Sequence, residues 1–222
     1  MKRFALAALL FLASIFPAVA QEYYDIDVDL PEYPQMAPVP DSPVYYAPEV
    51  DSNYFFYDGL YWDYYNDAWY SSPWYNGPWS LVDPIYVPTY LLWVPVRFYH
   101  RVPTYWRGWR ADRAPRWGER WGREWQARHN EIFRGRQRPQ YARAPLPEYQ
   151  RSYNRANYPR APQVQSQLHS QQYGYRPQER VVQQHYERRG ISAPTAAVPQ
   201  RANPAARGDS HRDEGRRDHD RR

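Results

Sequence analysis

Tyr54-Phe55-Phe56-Tyr57-Asp58-Gly59-Leu60-Tyr61-Trp62-Asp63-Tyr64-Tyr65-Asn66-Asp67-Ala68-Trp69-Tyr70 is the stretch whose reading decides the fold. Aromatic rings crowd three short runs, and flat rings cover a pleated surface and pair across strands. Asp58-Gly59 separates the first two runs and is a strong two-residue hairpin signal. Asn66-Asp67 separates the second from the third in the same way. The stretch therefore predicts a three-stranded antiparallel meander.

Beyond it a five-residue echo continues: Trp69-Tyr70-Ser71-Ser72-Pro73, Trp74-Tyr75-Asn76-Gly77-Pro78, then Trp79. Ser80 to Val82 can add a short fourth strand. Tyr86 to Val96 is the most aliphatic part of the chain, with one helical turn expected around Thr89 to Trp93. Residues 54–99 thus read as a small aromatic-rich β unit. Upstream, residues 21–53 read as an acidic leader. Pro31, Pro34, Pro38, Pro40, Pro43 and Pro48 punctuate it, so it should be extended or polyproline-like.

Downstream, residues 100–133 are rich in Trp and Arg. Trp117-Gly118-Glu119-Arg120 is echoed by Trp121-Gly122-Arg123-Glu124 and then Trp125. A four-residue spacing places these rings on one helical face. Pro115 is suited to a first turn, so an amphipathic helix is predicted near 116–133. Gly118 and Gly122 each weaken it by about 1 kcal/mol relative to Ala. Residues 134–222 are dominated by Arg, Gln, Pro and Tyr without apolar periodicity, which reads as a disordered tail. One exception is a transient helix around Pro177 to Arg188. The expected fold class is a mostly disordered chain with a small antiparallel β unit of three to four short strands and one amphipathic helix.

The N-terminal twenty residues have the three parts of a secretory signal peptide. Lys2 and Arg3 precede a 13-residue apolar run, Phe4 to Phe16, and Ala18-Val19-Ala20 supplies small residues for cleavage near Ala20-Gln21. A bilayer-spanning helix needs about 20 apolar residues. The expected address is the periplasm, or the cell surface or medium. The sequence contains no Cys, which excludes disulfides, thiolate zinc sites and a thiol-borne lipid anchor.

Charge divides along the chain. Residues 21–100 hold twelve acids and one Arg, a net of −11, while residues 101–222 hold 26 Arg and twelve acids, a net of +14. This asymmetry points either to an anionic partner or to self-association of the two halves. Arg stacks on rings and grips phosphate or carboxylate bidentately.

No constellation reads as an active site. There is no phosphate-cradling glycine loop and no nucleophile elbow. Asp58, Asp63 and Asp67 are close enough in sequence to raise a glycosidase pair, but Asp58 and Asp67 read more simply as turn residues. His211, Asp213, His219 and Asp220 lie where no fold would fix a metal geometry. No cofactor, metal site or catalytic residue is expected.

The candidate ligand contacts are Trp69, Trp74 and Trp79 of the β unit, whose rings read in the first place as a small core built from aromatics, and Trp117, Trp121, Trp125, Arg116, Arg120 and Arg123 of the helix. The helix either docks on the aromatic sheet or lies on an anionic surface with Trp among headgroups and Arg on phosphates. Its expected partners are lipopolysaccharide or a phospholipid surface, and the exposed rings also suit peptidoglycan or another carbohydrate. Self-association is a further expectation. Export argues against nucleic acid.

The runs Tyr-Asp-Gly-Leu-Tyr-Trp at 57–62 and Trp-Tyr-Asn-Gly-Pro-Trp at 74–79, continued by Arg107-Gly108-Trp109-Arg110-Ala111 and Arg116-Trp117-Gly118, resemble a group of exported Tyr/Trp-rich proteobacterial proteins. A looser similarity runs to YXWGXW-type repeats, without a clean copy of that motif. The resemblance implies export and no known activity.

Overall fold

A computed structural model of the chain describes residues 22–133, 140–189 and 191, the side chains of 131–133 excepted. The expected signal peptide and the terminal His/Asp run lie outside the described residues.

The meander is present and larger than expected. Six strands, β1 (Ala37–Pro38), β2 (Tyr45–Tyr46), β3 (Tyr54–Tyr57), β4 (Leu60–Tyr65), β5 (Ala68–Ser72) and β6 (Ser80–Val82), form one antiparallel sheet in sequence order. Tyr57 opposite Leu60 closes the Asp58-Gly59 turn, and Tyr65 opposite Ala68 closes Asn66-Asp67. All four turn residues have positive φ, between 47° and 90°. That is the left-handed pair whose twist matches flanking strands. At Gly59 a second constraint operates, because a Cβ there would stand 2.7 Å from the Tyr186 hydroxyl oxygen.

Every residue of β3 is buried, and this decides the architecture. A sheet with one wet face alternates buried and exposed positions; here both faces are covered. Phe55, Tyr57, Leu60, Trp62, Tyr64 and Trp69 join one core, with Leu91 and Leu92 of α1 (Thr89–Leu92), Trp106, Trp117, Val182 and Tyr186. Tyr54, Phe56 and Tyr61 join the other, with Ile26, Val28, Tyr33, Tyr75, Ala144 and Tyr173.

Those lists correct the expected fold class. The chain is not mostly disordered around a three- or four-stranded unit. Its described residues, which are most of its length, form a six-stranded sheet with four helices. The leader supplies β1 and β2 and buries Ile26, Val28, Val39 and Val44. Its prolines interrupt strands without stopping them from pairing at an edge. The described part of the expected tail, 140–189 and 191, carries α3 (Pro162–Gln172) and α4 (Arg180–Arg188) and packs on both faces. The transient helix expected near 177–188 is α4, and it buries Val182, His185 and Tyr186.

The two halves of opposite charge also meet. Arg101 bonds Asp27 and Asp51 at 2.9 and 2.8 Å, and Arg155 bonds Asp29 at 2.7 Å. These groups are 41–80% exposed, where ion pairs contribute only about 0–1 kcal/mol. They orient the leader; ring burial holds it. No helix among the described residues is long and apolar enough to cross a membrane.

Candidate functional site

The Trp/Arg segment docks on the sheet through a column of rings. Trp106, at the end of a 3-10 turn begun by Thr104, stacks on Tyr64 of β4 with centroids 5.8 Å apart. Trp109 stacks on Trp106 at 5.1 Å, and the Arg116 guanidinium lies 5.3 Å from the Trp109 centroid. The column runs from the buried core to a half-exposed ring capped by a cation, each step within normal stacking or cation–π range.

A second column belongs to α2 (Trp117–Phe133). Trp117 stacks on Trp121 at 4.7 Å, Trp121 meets Trp125 edge-on at 4.7 Å, and Trp125 stacks on His129 at 3.8 Å. The helix is not straight. Gly122 has φ 84° and ψ 174°, a region open essentially to glycine alone. The bend carries Gln126 back over Gly118, where a Cβ would stand 2.6 Å from the Gln126 side chain. Trp117 is buried and donates through Nε1 to the Leu92 carbonyl at 2.9 Å, and half-buried Trp125 donates to the Pro84 carbonyl at 3.2 Å. Of the two readings of this helix, the structure has it docked. Its elbow leaves a cleft of about 480 Å³ lined by Leu92, Trp93, Arg116, Trp125 and Gln126.

The arginines divide into engaged and open ones. Arg116 bonds Glu119 at 3.0 Å, Arg120 bonds Asp67 at 3.2 Å, and Arg110 bonds Asp112 at 2.7 Å. Arg107, Arg123 and Arg128 are exposed and form no ion pair among the described residues. Of the arginines singled out from sequence, Arg123 is the open one. Arg107 and Arg128 were not singled out, although each stands within three residues of a tryptophan of the columns.

Trp69, Trp74 and Trp79 are not surface rings; they are 1%, 0% and 2% exposed. Trp74 is enclosed edge-on by Tyr149, Tyr153 and Tyr158 at 5.6, 5.2 and 5.7 Å, and its Nε1 donates to the Gln165 carbonyl. Three rings from the expected tail thus cover a residue expected to meet ligand.

The three carboxylates do not form a pair. Asp58 accepts from the Tyr175 hydroxyl and the Gln178 and Glu179 amides. Asp67 accepts from Tyr64 and Tyr105 and pairs with Arg120. Asp63 sits mid-strand in β4, fully buried, and accepts from the Ser52 hydroxyl. Burial pushes its carboxyl up to about 8, with Ser52 and then Arg101 pulling the other way. Among the described residues no three His, Cys, Asp or Glu side chains converge as metal ligands would. No protein-family model, no curated protein and no solved structure matches this chain.

Proposed function

We propose that this is an exported, non-enzymatic, envelope-associated interaction protein that binds anionic surfaces through its Trp/Arg segment. The observation that carries this reading is the juxtaposition of Arg107, Arg123 and Arg128, exposed and without ion pairs among the described residues, with the half-exposed rings of Trp109, Trp121 and Trp125. Over residues 105–130 seven Arg face three acids. Arginine on phosphate beside tryptophan at headgroup depth is the chemistry of an interfacial site. The columns hold the rings in place, so little ordering entropy is lost on binding. The signal-peptide pattern supports the envelope as the address.

The test is sedimentation of the full chain with vesicles of zwitterionic lipid alone and with added anionic lipid. Binding should require the anionic lipid and weaken as salt rises. Arg107→Gln/Arg123→Gln/Arg128→Gln should bind on the order of a hundredfold more weakly, from about 1 kcal/mol per surface arginine. Equal binding by the triple variant, or binding indifferent to lipid charge, overturns the reading.

A further inference from the structure

The segment 140–191 crosses from one face of the sheet to the other around the β3–β4 turn. Ala144 and Tyr173 belong to the core on one side, Val182, Tyr186 and Ile191 to the core on the other. The turn itself is the pivot. The Asp58 carboxylate accepts from the Gln178 amide at 2.8 Å and from the Glu179 amide at 2.8 Å, just ahead of the first turn of α4. Tyr186 donates to the Gly59 carbonyl at 2.7 Å. We propose that residues 140–191 form a clasp that acid releases, through His169 of α3 and His185 of α4, baring the aromatic surface around Trp74 and Trp62.

A second ring proton at His169 would force the Tyr149 hydroxyl, which already accepts from Gln150, to turn from donor to acceptor. Because the Tyr186 hydroxyl spends its proton on Gly59, it accepts from Nε2 of His169, at 3.3 Å. Nδ1 must then accept from the Tyr149 hydroxyl, at 2.9 Å. Tyr149, Tyr173 and Tyr186 are the titratable groups around the ring, and no carboxylate is among them. His185 lies edge-on to Trp62 at 5.4 Å with Nε2 3.2 Å from the Tyr86 carbonyl, and its charged neighbours are Arg188 and Arg189. Each imidazolium would stand in a dry site without a counter-charge. Burial accordingly holds His169 down to about 4, and burial with Arg189 holds His185 there too.

One group in the clasp works the other way. Glu179 accepts from the Tyr57 hydroxyl at 2.6 Å and from the Thr89 amide, with Asp58 beside it. Burial raises it to about 7, and Asp58 is raised by burial too. Stability from a raised carboxyl is present at low pH and lost as pH rises through its folded value. Stability tied to a depressed histidine is present above the unfolded value and lost as pH falls. Below the ordinary histidine value of about 6.5, the open clasp therefore takes up two protons on His169 and His185. Glu179 gives the closed clasp one, and the raised Asp58 adds to the same side toward the acid end of the range. Up to one net proton therefore favours opening, a factor of up to about ten per pH unit. The clasp closes most tightly near neutral pH.

Amide exchange of the full chain at pH 6.5 and 5, corrected for intrinsic rates, reads the opening of α3 and α4 against β3 and β4. Protection of α3 and α4 should fall about tenfold relative to the strands. In Glu179→Gln the two histidine protons stand unopposed by Glu179, and the fall should steepen to about two hundredfold. In His169→Gln, whose amide can accept from Tyr149 and donate to Tyr186, the counts cancel and the fall should vanish. Should His169→Gln fail to fold, Glu179→Gln alone decides. Helices and strands losing protection by the same factor, or a slope unchanged in Glu179→Gln, overturns the clasp.

Discussion

At the scale of single residues, polar groups with several assigned partners organise this protein as much as its rings do. Asn53 accepts from the Arg101 amide and donates to the carbonyls of Tyr64 and Arg101, tying the loop after the aliphatic stretch to β4. Gln150 donates to Pro73 and accepts from Tyr75 while wholly buried. Asp63 is the charged-type exception on the central strands, since its Oδ1, like the Nε1 of Trp69 and of Trp79, has no hydrogen-bond partner among the described residues. Its carboxyl, raised to about 8, keeps a proton at neutral pH that the unfolded chain sheds near 4. Its contribution is therefore present at low pH and lost as pH rises through 8. Asp63→Asn should match wild-type stability only below about pH 4 and gain on it as pH rises, the advantage widening by about 2–3 kcal/mol between pH 6 and pH 9, read from urea midpoints; parallel losses in the two proteins would count against the assignment. The turn aspartates were legible in sequence because Asx-Gly chemistry is local. Asp63 was not, since nothing beside it in the chain announces that both faces of β4 are covered.

At the scale of elements, local chemistry and observed structure agree where neighbours in the chain are neighbours in space. The turns at 58–59 and 66–67, the strands β3 to β6, the helical turn at Thr89 and the stripe of Trp117, Trp121 and Trp125 all follow from spacing and turn residues. The bend in α2 does not follow. Glycine lowers helix propensity anywhere, but only docking of Trp117 on Leu92 and of Trp125 on Pro84 requires the chain to turn at Gly122. Gly122→Ala should cost about 1–3 kcal/mol as backbone strain, or straighten the helix and undock Trp125. Near-UV circular dichroism should then lose the coupled-indole signal while the sheet melts as before. An unaltered spectrum at unaltered stability would refute the elbow.

At the scale of the whole molecule, residues 140–191 complete a core that the meander cannot close alone. A sheet with two apolar faces needs cover on both, and a unit of residues 54–99 has too little chain to provide it. Deleting 140–222 should expose Trp62, Trp74 and Tyr75, abolish a cooperative melt and produce dye-binding, association-prone protein. A sharp melt in the shortened chain would show that the meander is self-sufficient. The segment escaped the periodicity criterion for a physical reason. That criterion counts aliphatic repeats, whereas this segment buries Tyr, Gln and His. Their polar atoms are satisfied by groups far along the chain, as with Trp74 and Gln165, 91 residues apart.

The sequence by itself determined the antiparallel meander, its two left-handed turns, the ring spacing of the Trp/Arg helix and the opposite charge of the two halves. Each is written in residues a few positions apart. Only the tertiary structure decided which tryptophans are core and which are surface, which arginines remain open, and that the leader and the polar C-terminal segment fold. Those outcomes depend on which distant surface supplies apolar cover and hydrogen-bond partners, and burial of a ring or an amide is favourable only once both are in place.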